Sequence, residues 1–435
     1  MSLSSTNSLG KTTAWLSDPA QHRRVLLSLS LIASLATFLL TAISAQFPPF
    51  DASPKVLLFS NGSPSLPRAL ASTVLRWDAF YFAHIAREGY VYEQEWAFFP
   101  GSPLIMRMVG SVFPQSEEGL SWELALLGGL VASSVSAFSV LTLYDLSLLH
   151  LGSPDAALLS SALSLLPSSP VTLRLAGCSE PFFTALSYQG MLHCARGQWL
   201  LATLSFACAG AFRSNGILLC AFILWGLVAE PLLVKRQIPL RDTFYAAFLS
   251  VVVCGHFAVH QYTAYRAFCT HSTSPAEWCA SFPPTIYAAV QSKYWYVGFL
   301  RYWTPQQIPN FLLGAPPLAL LFAFTGHYLR QSLVPRTLAS FRPSSPGGHS
   351  EAQRSPFLHA SLAPHALHAF TLSLILLFAS HTQIVLRFAA AMPITYWAAA
   401  WLLVEWPRLG QWWVGWSVVY GAVSCVLWAN FLPPA

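Results

Sequence analysis

Long apolar runs separated by short polar turns dominate the hydrophobicity pattern of this chain. The first run, Val25 to Ala45, is long enough for a helix to cross a bilayer, which takes about 20 residues. Two later runs, 181–194 and 198–212, are short enough to be half-helices or tilted hairpins. The other runs are 121–149, 156–173, 216–234, 243–265, 308–329, 358–380, 384–404 and 411–432. The pattern predicts an all-α polytopic membrane protein, one domain over residues 1–435, with about 10 to 11 transmembrane helices.

The composition agrees with this prediction. Hydrophobic residues make up 54% of the chain and charged residues only 9%, with a mean hydropathy of +0.51. Soluble domains carry about 25% charged residues, so a soluble class is excluded. The net charge of +6 does not indicate nucleic-acid binding, because the basic residues lie in short loops where they set membrane topology. The expected surroundings are membrane lipids.

The distribution of basic residues predicts the orientation. The N-terminus is expected in the cytosol because basic residues precede the first run: Lys11, Arg23 and Arg24. Alternation then places two segments, 47–96 and 266–307, on the far side of the membrane. It places the basic loop around Lys235 and the segment 331–358 in the cytosol, as the positive-inside rule requires. Segment 331–358 is predicted to be flexible, because its central part is rich in Ser, Pro and Gly.

Polar side chains collect at the far-side turns, whereas the cytosolic turns carry mainly basic residues, Pro and Gly. Ionisable groups at the membrane edge are costly and are therefore functional candidates. The asymmetry predicts an active site on the far side. The candidate residues are Arg76, Trp77, Asp78, Glu180, Arg213, Asn215, Lys293, Tyr294, Gln307, Asn310, His381 and Arg387.

These residue types suit glycosyl or phosphoryl transfer from a lipid-linked donor. A carboxylate can deprotonate an acceptor hydroxyl as a general base, and Asp78 is the first candidate, with Glu180 as the alternative. Arginines such as Arg213 and Arg387 can hold a phosphate leaving group and stabilise its developing charge. Aromatic side chains around Asp78 can stack on sugars and border lipid tails.

Simpler interpretations of the same residues stay open at this level. The aromatics around Asp78 are also typical of a belt at the headgroups. Asp78 and Glu180 each precede a predicted helix, where a carboxylate favours the helix dipole or forms a cap. Arg213 and Arg387 lie near the ends of apolar runs and could extend to lipid headgroups. Another transferase that uses a dolichol-phosphate sugar would fit the same residues. A lipid or solute transporter is the rival functional class, although it should place polar groups toward both faces.

Two of the eight cysteines stand apart from the others, most of which lie in apolar runs. Cys269 and Cys279 share the far-side segment 266–307, and a disulfide between them fits an oxidising lumen. No group of His and Cys has the spacing of a zinc site. The sequence therefore predicts one disulfide and no resident cofactor, and it leaves a metal requirement open.

Eight segments together resemble the PIG-V family of GPI mannosyltransferases, and they cover nearly the whole length of the chain. The resemblance begins with the Arg-Trp-Asp-Ala sequence at Arg76–Ala79 and ends with the segment His381–Phe388. Between them lie segments 85–90, 97–103, 179–182, 213–216, 291–303 and 307–311. Segment 331–358 carries none of it.

The resemblance implies a GT-C-type glycosyltransferase fold with a lumenal active site in the endoplasmic reticulum membrane. It implies transfer of mannose from dolichol phosphate mannose to a mono-mannosyl GPI lipid, forming an α-1,6 linkage with inversion. Such an enzyme needs one general base, and the first lumenal loop contains no Asp-x-Asp metal motif. Some members of the family work with a small membrane partner subunit.

Overall fold

The computed structural model describes residues 18–59, 65–114, 119–175, 177–236, 240–270, 274–340 and 355–432, and every regular element in them is helical. The first seven α-helices are α1 Pro19–Ser44, α2 Ser53–Phe59, α3 Leu66–Val74, α4 Asp78–Glu88, α5 Gly101–Gly110, α6 Trp122–Ser133 and α7 Ser136–Leu151. The next seven are α8 Pro154–Leu163, α9 Pro170–Arg174, α10 Glu180–Ala195, α11 Trp199–Gly210, α12 Cys220–Leu224, α13 Glu230–Lys235 and α14 Leu240–Tyr265. The last seven are α15 Ile286–Tyr294, α16 Ile308–Tyr328, α17 Val334–Ser340, α18 Ala363–Phe378, α19 Val385–Phe388, α20 Pro393–Glu405 and α21 Pro407–Ala429.

Short 3-10 and π segments extend several of these helices. The 3-10 segments are Glu93–Ala97, Ser214–Leu219, Glu277–Ala280, Pro305–Gln307, Pro356–Leu358, Ala360–Leu362, Thr382–Ile384 and Ala389–Ala391, and the π segments are Trp225–Ala229, Arg266–Thr270 and Leu329–Leu333. Where they join α-helices, they produce continuous rods longer than the individual α-helices. The rod from Ser214 to Leu233 is one example.

The prediction of an all-helical multi-span protein is confirmed. Among the described residues, seven helices are long and apolar enough to cross a membrane: Pro19–Ser44, Trp122–Leu151, Ser214–Leu233, Leu240–Thr270, Pro305–Ser340, Ala360–Phe378 and Pro407–Ala429. A further pair of helices, Thr382–Ala391 and Pro393–Glu405, meets at a 90° bend and makes an eighth if it is one span. The bend falls at Pro393, because proline cannot continue the hydrogen bonding of the preceding turn.

The number of full-length spans is smaller than the 10 to 11 predicted. Three predicted runs form shorter helices instead: 156–173 divides into α8 and α9, and runs 181–194 and 198–212 form α10 and α11. Run 156–173 is broken because Pro167 and Pro170 interrupt helical hydrogen bonding between α8 and α9. Apolar content alone therefore overestimates the number of long, uninterrupted helices here.

The segment predicted to be flexible, 331–358, starts as a helix. Residues 331–340 continue the rod that begins at Pro305, and residues 341–354 lie outside the described part of the chain. Apolar residues at nearly helical spacing, Leu329, Leu333 and Leu338, extend the pattern into this segment. The Ser332 hydroxyl also donates to the carbonyl of Leu358 at 2.7 Å, which fixes the two ends of the segment together.

The first predicted far-side loop, 47–96, is mostly helical and lies across one end of the bundle. It contains α2, α3, α4 and the segment Glu93–Ala97. The backbone N–H of Phe50 donates to the carbonyl of Asn430 at 2.9 Å. We call the end of the bundle where α1 stops at Ser44 and α21 stops at Ala429 the upper end.

The largest buried cluster lies among α7, α10, α11, α16, α18 and α20. Trp397 on α20 is fully buried, and its Nε1–H donates to the hydroxyl of Ser147 on α7 at 2.8 Å. The bent segment before α20 is also fixed, because the Ser168 hydroxyl donates to the carbonyl of Leu386 at 2.6 Å. This packing holds α19, which carries Arg387, against the centre of the bundle.

Candidate active site

Four charged side chains from four distant segments meet in one network. Arg387 donates from Nη1 to Asp78 Oδ2 at 2.6 Å, and from Nη2 and Nε to Glu180 Oε1 at 2.6 and 2.7 Å. Arg213 donates from Nη1 to the same Oε1 of Glu180 at 2.5 Å. The negative charges of the two carboxylates thus balance the positive charges of the two guanidinium groups, and Arg387 bridges the carboxylates.

The backbone places both carboxylates at the first residue of a helix. Asp78 begins α4 directly after Trp77, whose φ of +49° lies in a region unfavourable for a side chain with a Cβ. Glu180 begins α10, with Pro181 in its first turn. A helix N-terminus favours a negative charge, so both positions stabilise the ionised carboxylate. Neither side chain is used mainly as a cap, because their oxygens accept from the arginines.

The two carboxylates differ in accessibility. The side chain of Asp78 is 31% exposed, whereas that of Glu180 is 4% exposed. Glu180 Oε1 accepts from both arginines, and Oε2 is buried with no hydrogen-bond partner. Asp78 can therefore be reached by an acceptor hydroxyl, while Glu180 lies beneath the arginines and holds them in place.

The arginines keep donor capacity for an anion. A guanidinium group has five N–H donors, and the three contacts to carboxylates leave Arg387 with two. Arg213 makes its contacts through Nη1, to Glu180 and to the Ser179 hydroxyl at 3.2 Å. Its Cζ lies 4.2 Å from the centre of the Phe388 ring, which orients the guanidinium plane. A phosphate beside the network could thus receive charge-assisted hydrogen bonds from both residues.

Arg76 and Trp77 directly precede Asp78 but lie outside the network. Buried Arg76 donates to the carbonyl of Ala429 from Nε at 3.2 Å and Nη2 at 2.8 Å, and to that of Ser72 from Nη1 at 2.6 Å. Burial lowers the pKa of Arg76 to about 10, so it stays charged. Trp77 packs on Phe431 with ring centres 4.9 Å apart. Both residues tie the start of α4 to the end of α21 and so position Asp78.

Lys293 and Tyr294 form a separate cluster with Glu93, which sequence reasoning missed. Lys293 Nζ and the Tyr294 hydroxyl donate to Glu93 Oε2 at 2.7 and 2.8 Å. The Trp278 Nε1–H donates to Glu93 Oε1 at 3.0 Å. The cluster joins segment 266–307 to the first loop. The only sequence signal was the presence of Glu93 in the same far-side loop as Asp78.

A third polar group contains Gln307, Asn310 and His381. Asn310 Nδ2 donates to Gln307 Oε1 at 2.6 Å and to the Tyr302 hydroxyl at 2.8 Å. His381 Nε2 donates to the carbonyl of Trp295 at 2.7 Å. This group supports the start of α16 and the turn before α19, without touching the four-residue network.

Asn215 lies two residues after Arg213 in the 3-10 segment Ser214–Leu219, and its Oδ1 is buried with no hydrogen-bond partner among the described residues. The structure joins Cys269 and Cys279 in a disulfide with Cα atoms 5.7 Å apart.

No group of three or more His, Cys, Asp or Glu among the described residues has the geometry to hold a metal ion.

Comparison with known proteins identifies relatives along almost the whole chain. A family model described as Mannosyltransferase (PIG-V) matches residues 25–435. The chain is 34% identical over 427 residues to the GPI mannosyltransferase 2 of Cryptococcus neoformans, covering 91% of this chain and 95% of the relative. It is 32% identical over 441 residues to the GPI mannosyltransferase 2 of Gibberella zeae, with 95% and 99% coverage. It is 32% identical over 429 residues to the GPI alpha-1,6-mannosyltransferase 2 of Rattus norvegicus, with 90% and 86% coverage.

Solved structures give weaker similarities. The oligosaccharyltransferase of Archaeoglobus fulgidus matches with a TM-score of 0.44 at 10% identity, over 92% of this chain and 56% of that one. ArnT from Cupriavidus metallidurans, bound to undecaprenyl phosphate, matches with a TM-score of 0.35 at 13% identity, over 87% of this chain and 76% of that one.

Proposed function

The chain belongs to the mannosyltransferase (PIG-V) family, and from this membership we propose that it transfers the second mannose of a GPI precursor in an α-1,6 linkage. The donor is dolichol phosphate mannose and the acceptor is a mono-mannosyl GPI lipid. One observation carries the proposal at the level of chemistry: a partly exposed carboxylate and two arginines meet at the upper end of the bundle.

Asp78 acts as the general base in this proposal. Its partly exposed carboxylate accepts the proton of the acceptor hydroxyl as the hydroxyl oxygen forms a bond to the anomeric carbon of the donor mannose. The bond between the anomeric carbon and the phosphate oxygen breaks, and its electron pair leaves with dolichol phosphate. Attack on the face opposite the leaving group inverts the anomeric centre, so a β-linked donor yields an α-linked product.

Arg387 and Arg213 stabilise the departing phosphate. Negative charge develops on the phosphate oxygen as the glycosidic bond breaks, and guanidinium groups fixed beforehand are effective at this position. Glu180 fixes both arginines and does not touch the substrate. The substrate-binding role of Lys293 and Tyr294 stays a prediction, and we assign them no contact with the phosphate because their side chains are engaged with Glu93.

We propose that the protein lies in the endoplasmic reticulum membrane with its upper end in the lumen. Asp78, Glu180, Arg213 and Arg387 then face the lumen, while the N-terminus is cytosolic. Whether the reaction also needs a metal is tested by assaying transfer by purified protein with and without a chelator. The small partner subunit stays a prediction, which copurification from native membranes can test.

The decisive experiment is a transfer assay in membranes from cells that express the chain in a background lacking this activity. Labelled dolichol phosphate mannose and a mono-mannosyl GPI lipid should yield a dimannosyl lipid that an α-1,6-specific mannosidase cleaves. A product with another linkage would contradict the proposed acceptor position. Movement of either lipid across the membrane without mannose transfer would favour a transporter instead.

A further inference from the structure

A group of three aromatic rings lies beside Asp78, outside the charged network. Tyr81 follows Asp78 by one helical turn on α4, so the two side chains lie on the same face. The Tyr81 ring stacks on Phe98, with centres 4.4 Å apart and planes at 14°. Trp295 meets both rings edge-on, at 6.3 Å from Tyr81 and 5.8 Å from Phe98.

Contacts around the rings fix their positions. The Tyr90 hydroxyl donates to the carbonyl of Phe98 at 2.7 Å. The carbonyl of Trp295 accepts from His381 Nε2 at 2.7 Å, which connects this ring to the turn that leads to Arg387. All three rings are partly exposed, so their orientation is fixed while part of each surface stays open.

The Tyr81 hydroxyl has no hydrogen-bond partner among the described residues, in contrast to the hydroxyls of Tyr90 and Tyr294. Burial, followed by the charges of Asp78 and Glu95, raises the pKa of Tyr81, so its phenol stays protonated and can donate. A rigid aromatic surface with one free donor, one helical turn from the general base, is typical of a site for a polar ring with an apolar face.

We propose that Tyr81, Phe98 and Trp295 form the platform that binds the acceptor sugar, with the Tyr81 hydroxyl donating to a sugar hydroxyl next to the one that Asp78 deprotonates. The inference rests on the proposed function and deepens it. It assigns the platform to the acceptor because the base must touch the acceptor. The arginines, which suit the donor phosphate, contact Asp78, Glu180, Ser179 and the Phe388 ring but none of the three platform rings.

The test compares Tyr81→Phe, Tyr81→Leu and Trp295→Leu in a purified transfer assay with a synthetic mannose-terminated glycolipid acceptor. Tyr81→Phe removes only the hydroxyl, and kcat/KM for the acceptor should fall about threefold to tenfold, as expected for one lost hydrogen bond. For the two leucine variants, kcat/KM for the acceptor should fall about tenfold or more, because these substitutions remove aromatic contact as well. The KM for dolichol phosphate mannose should stay within twofold of the wild-type value in all three.

Tyr296→Phe is the matched control, since it makes the same chemical change on a 65% exposed residue next to Trp295. It should leave every kinetic constant unchanged. Thermal unfolding of each variant checks that the fold is intact. The platform is refuted if folded Tyr81→Leu keeps the wild-type KM and kcat for the acceptor, or if its donor KM rises and its acceptor KM does not.

Binding without transfer separates this inference from the proposed function. Labelled acceptor glycolipid is titrated against each variant in the absence of donor, so that no mannose can move. Weaker binding by Tyr81→Leu, in a protein that makes no dimannosyl product, would support the platform and contradict the proposed reaction. Equal binding by all variants, in a protein that does transfer mannose, would contradict the platform alone.

Discussion

At the residue scale, Asp78 and Glu180 show how surroundings separate two carboxylates of similar chemistry. Both begin a helix and both contact Arg387, yet one is partly exposed and the other is almost fully buried. A general base must reach the substrate, while a buried carboxylate between two arginines is better suited to fixing them. The alternatives that sequence reasoning left open are thus distinguished by accessibility, which depends on the packing around each helix start.

Asp78→Asn removes the base and keeps the shape of the side chain. Turnover should fall by about two to four decades, the usual contribution of a general base. Mannose transfer at saturating donor and acceptor is the measurement. Asp51→Asn is the control, since Asp51 is a partly exposed first-loop carboxylate that accepts from Ser53 and lies outside the charged network. Near-normal turnover by folded Asp78→Asn would contradict this role and make Glu180 the next candidate for the base.

Glu180→Gln should act on stability as well as on rate. Removing one partner of a buried ion pair costs about 3–5 kcal/mol, because the remaining charges lose their compensation. Thermal unfolding in detergent should show a large loss of stability for Glu180→Gln, whereas Asp78→Asn should unfold at a temperature close to that of the wild type. Glu123→Gln breaks a pair with Arg68 that is more exposed than the Glu180 pairs, with side chains 22% and 26% exposed, and should cost about 1 kcal/mol or less. An equally stable but inactive Glu180→Gln would argue for a direct chemical role.

Arg387→Lys tests the contact with the donor phosphate. A lysine keeps the charge but cannot bridge two carboxylates and a phosphate with a planar fork. The rate should fall by about two decades, the size seen when one fixed donor to developing negative charge is lost. The KM for the donor should rise while that for the acceptor stays constant. Arg301→Lys, on the exposed loop before α16, is the control, and an intact rate for Arg387→Lys would contradict the role.

At the element scale, short helices and turns build the site, while long helices supply the frame. α4, α10 and α19 carry Asp78, Glu180 and Arg387, and α19 belongs to the bent segment before Pro393. A bend of this kind places a polar residue at the upper end without breaking the apolar surface below it. The disulfide Cys269–Cys279 closes a short ring within segment 266–307, and the Glu93 cluster holds that segment against the first loop.

The disulfide predicts the number of reactive thiols. The chain has eight cysteines and six are free in the structure. Alkylation of the denatured, unreduced protein should therefore add six tags, and reduction beforehand should raise the number to eight, as read by mass spectrometry. Cys269→Ser should give seven tags without reductant, because Cys279 is released. Eight tags in the unreduced wild type would show that the bridge is absent in the cell.

At the scale of the whole molecule, the upper end gathers the catalytic candidates from across the chain. Asp78, Glu180, Arg213 and Arg387 span more than 300 residues of sequence and meet within hydrogen-bond distance. Helices that alternate in direction return the chain to the same face at every second turn. A site built this way has one orientation in the membrane, which can be measured independently of activity.

Cysteine accessibility in sealed microsomes tests that orientation. In a Cys208→Ala background, Ser53→Cys marks the exposed upper end and Glu405→Cys marks the opposite end. A membrane-impermeant maleimide added outside should label Glu405→Cys at once and Ser53→Cys only after detergent opens the lumen. The reverse pattern would place the site in the cytosol and exclude a lumenal reaction.

The sequence by itself determined the membrane class, the helical architecture and the face that carries the polar turns. The length of each apolar run and the distribution of basic residues are local properties, so they can be read from the sequence without a folded structure. It also identified the four members of the charged network, because each is a charged residue at a turn predicted to lie on the far side. It could not show that Arg387 bridges the two carboxylates, or that Glu180 is buried and Asp78 is not.

Only the tertiary structure decided which candidates act together. Lys293, Tyr294, Gln307, Asn310 and His381 lie at the same face as Asp78, but their partners are Glu93, Tyr302 and Trp295. Arg76 stands two residues from Asp78 and points to the end of α21 instead. Side-chain direction and long-range packing set these pairings, and neither is encoded by distance along the chain. The same limit explains why fewer long helices form than predicted, since whether an apolar run forms one long helix, bends or stops depends on where proline falls and what packs against it.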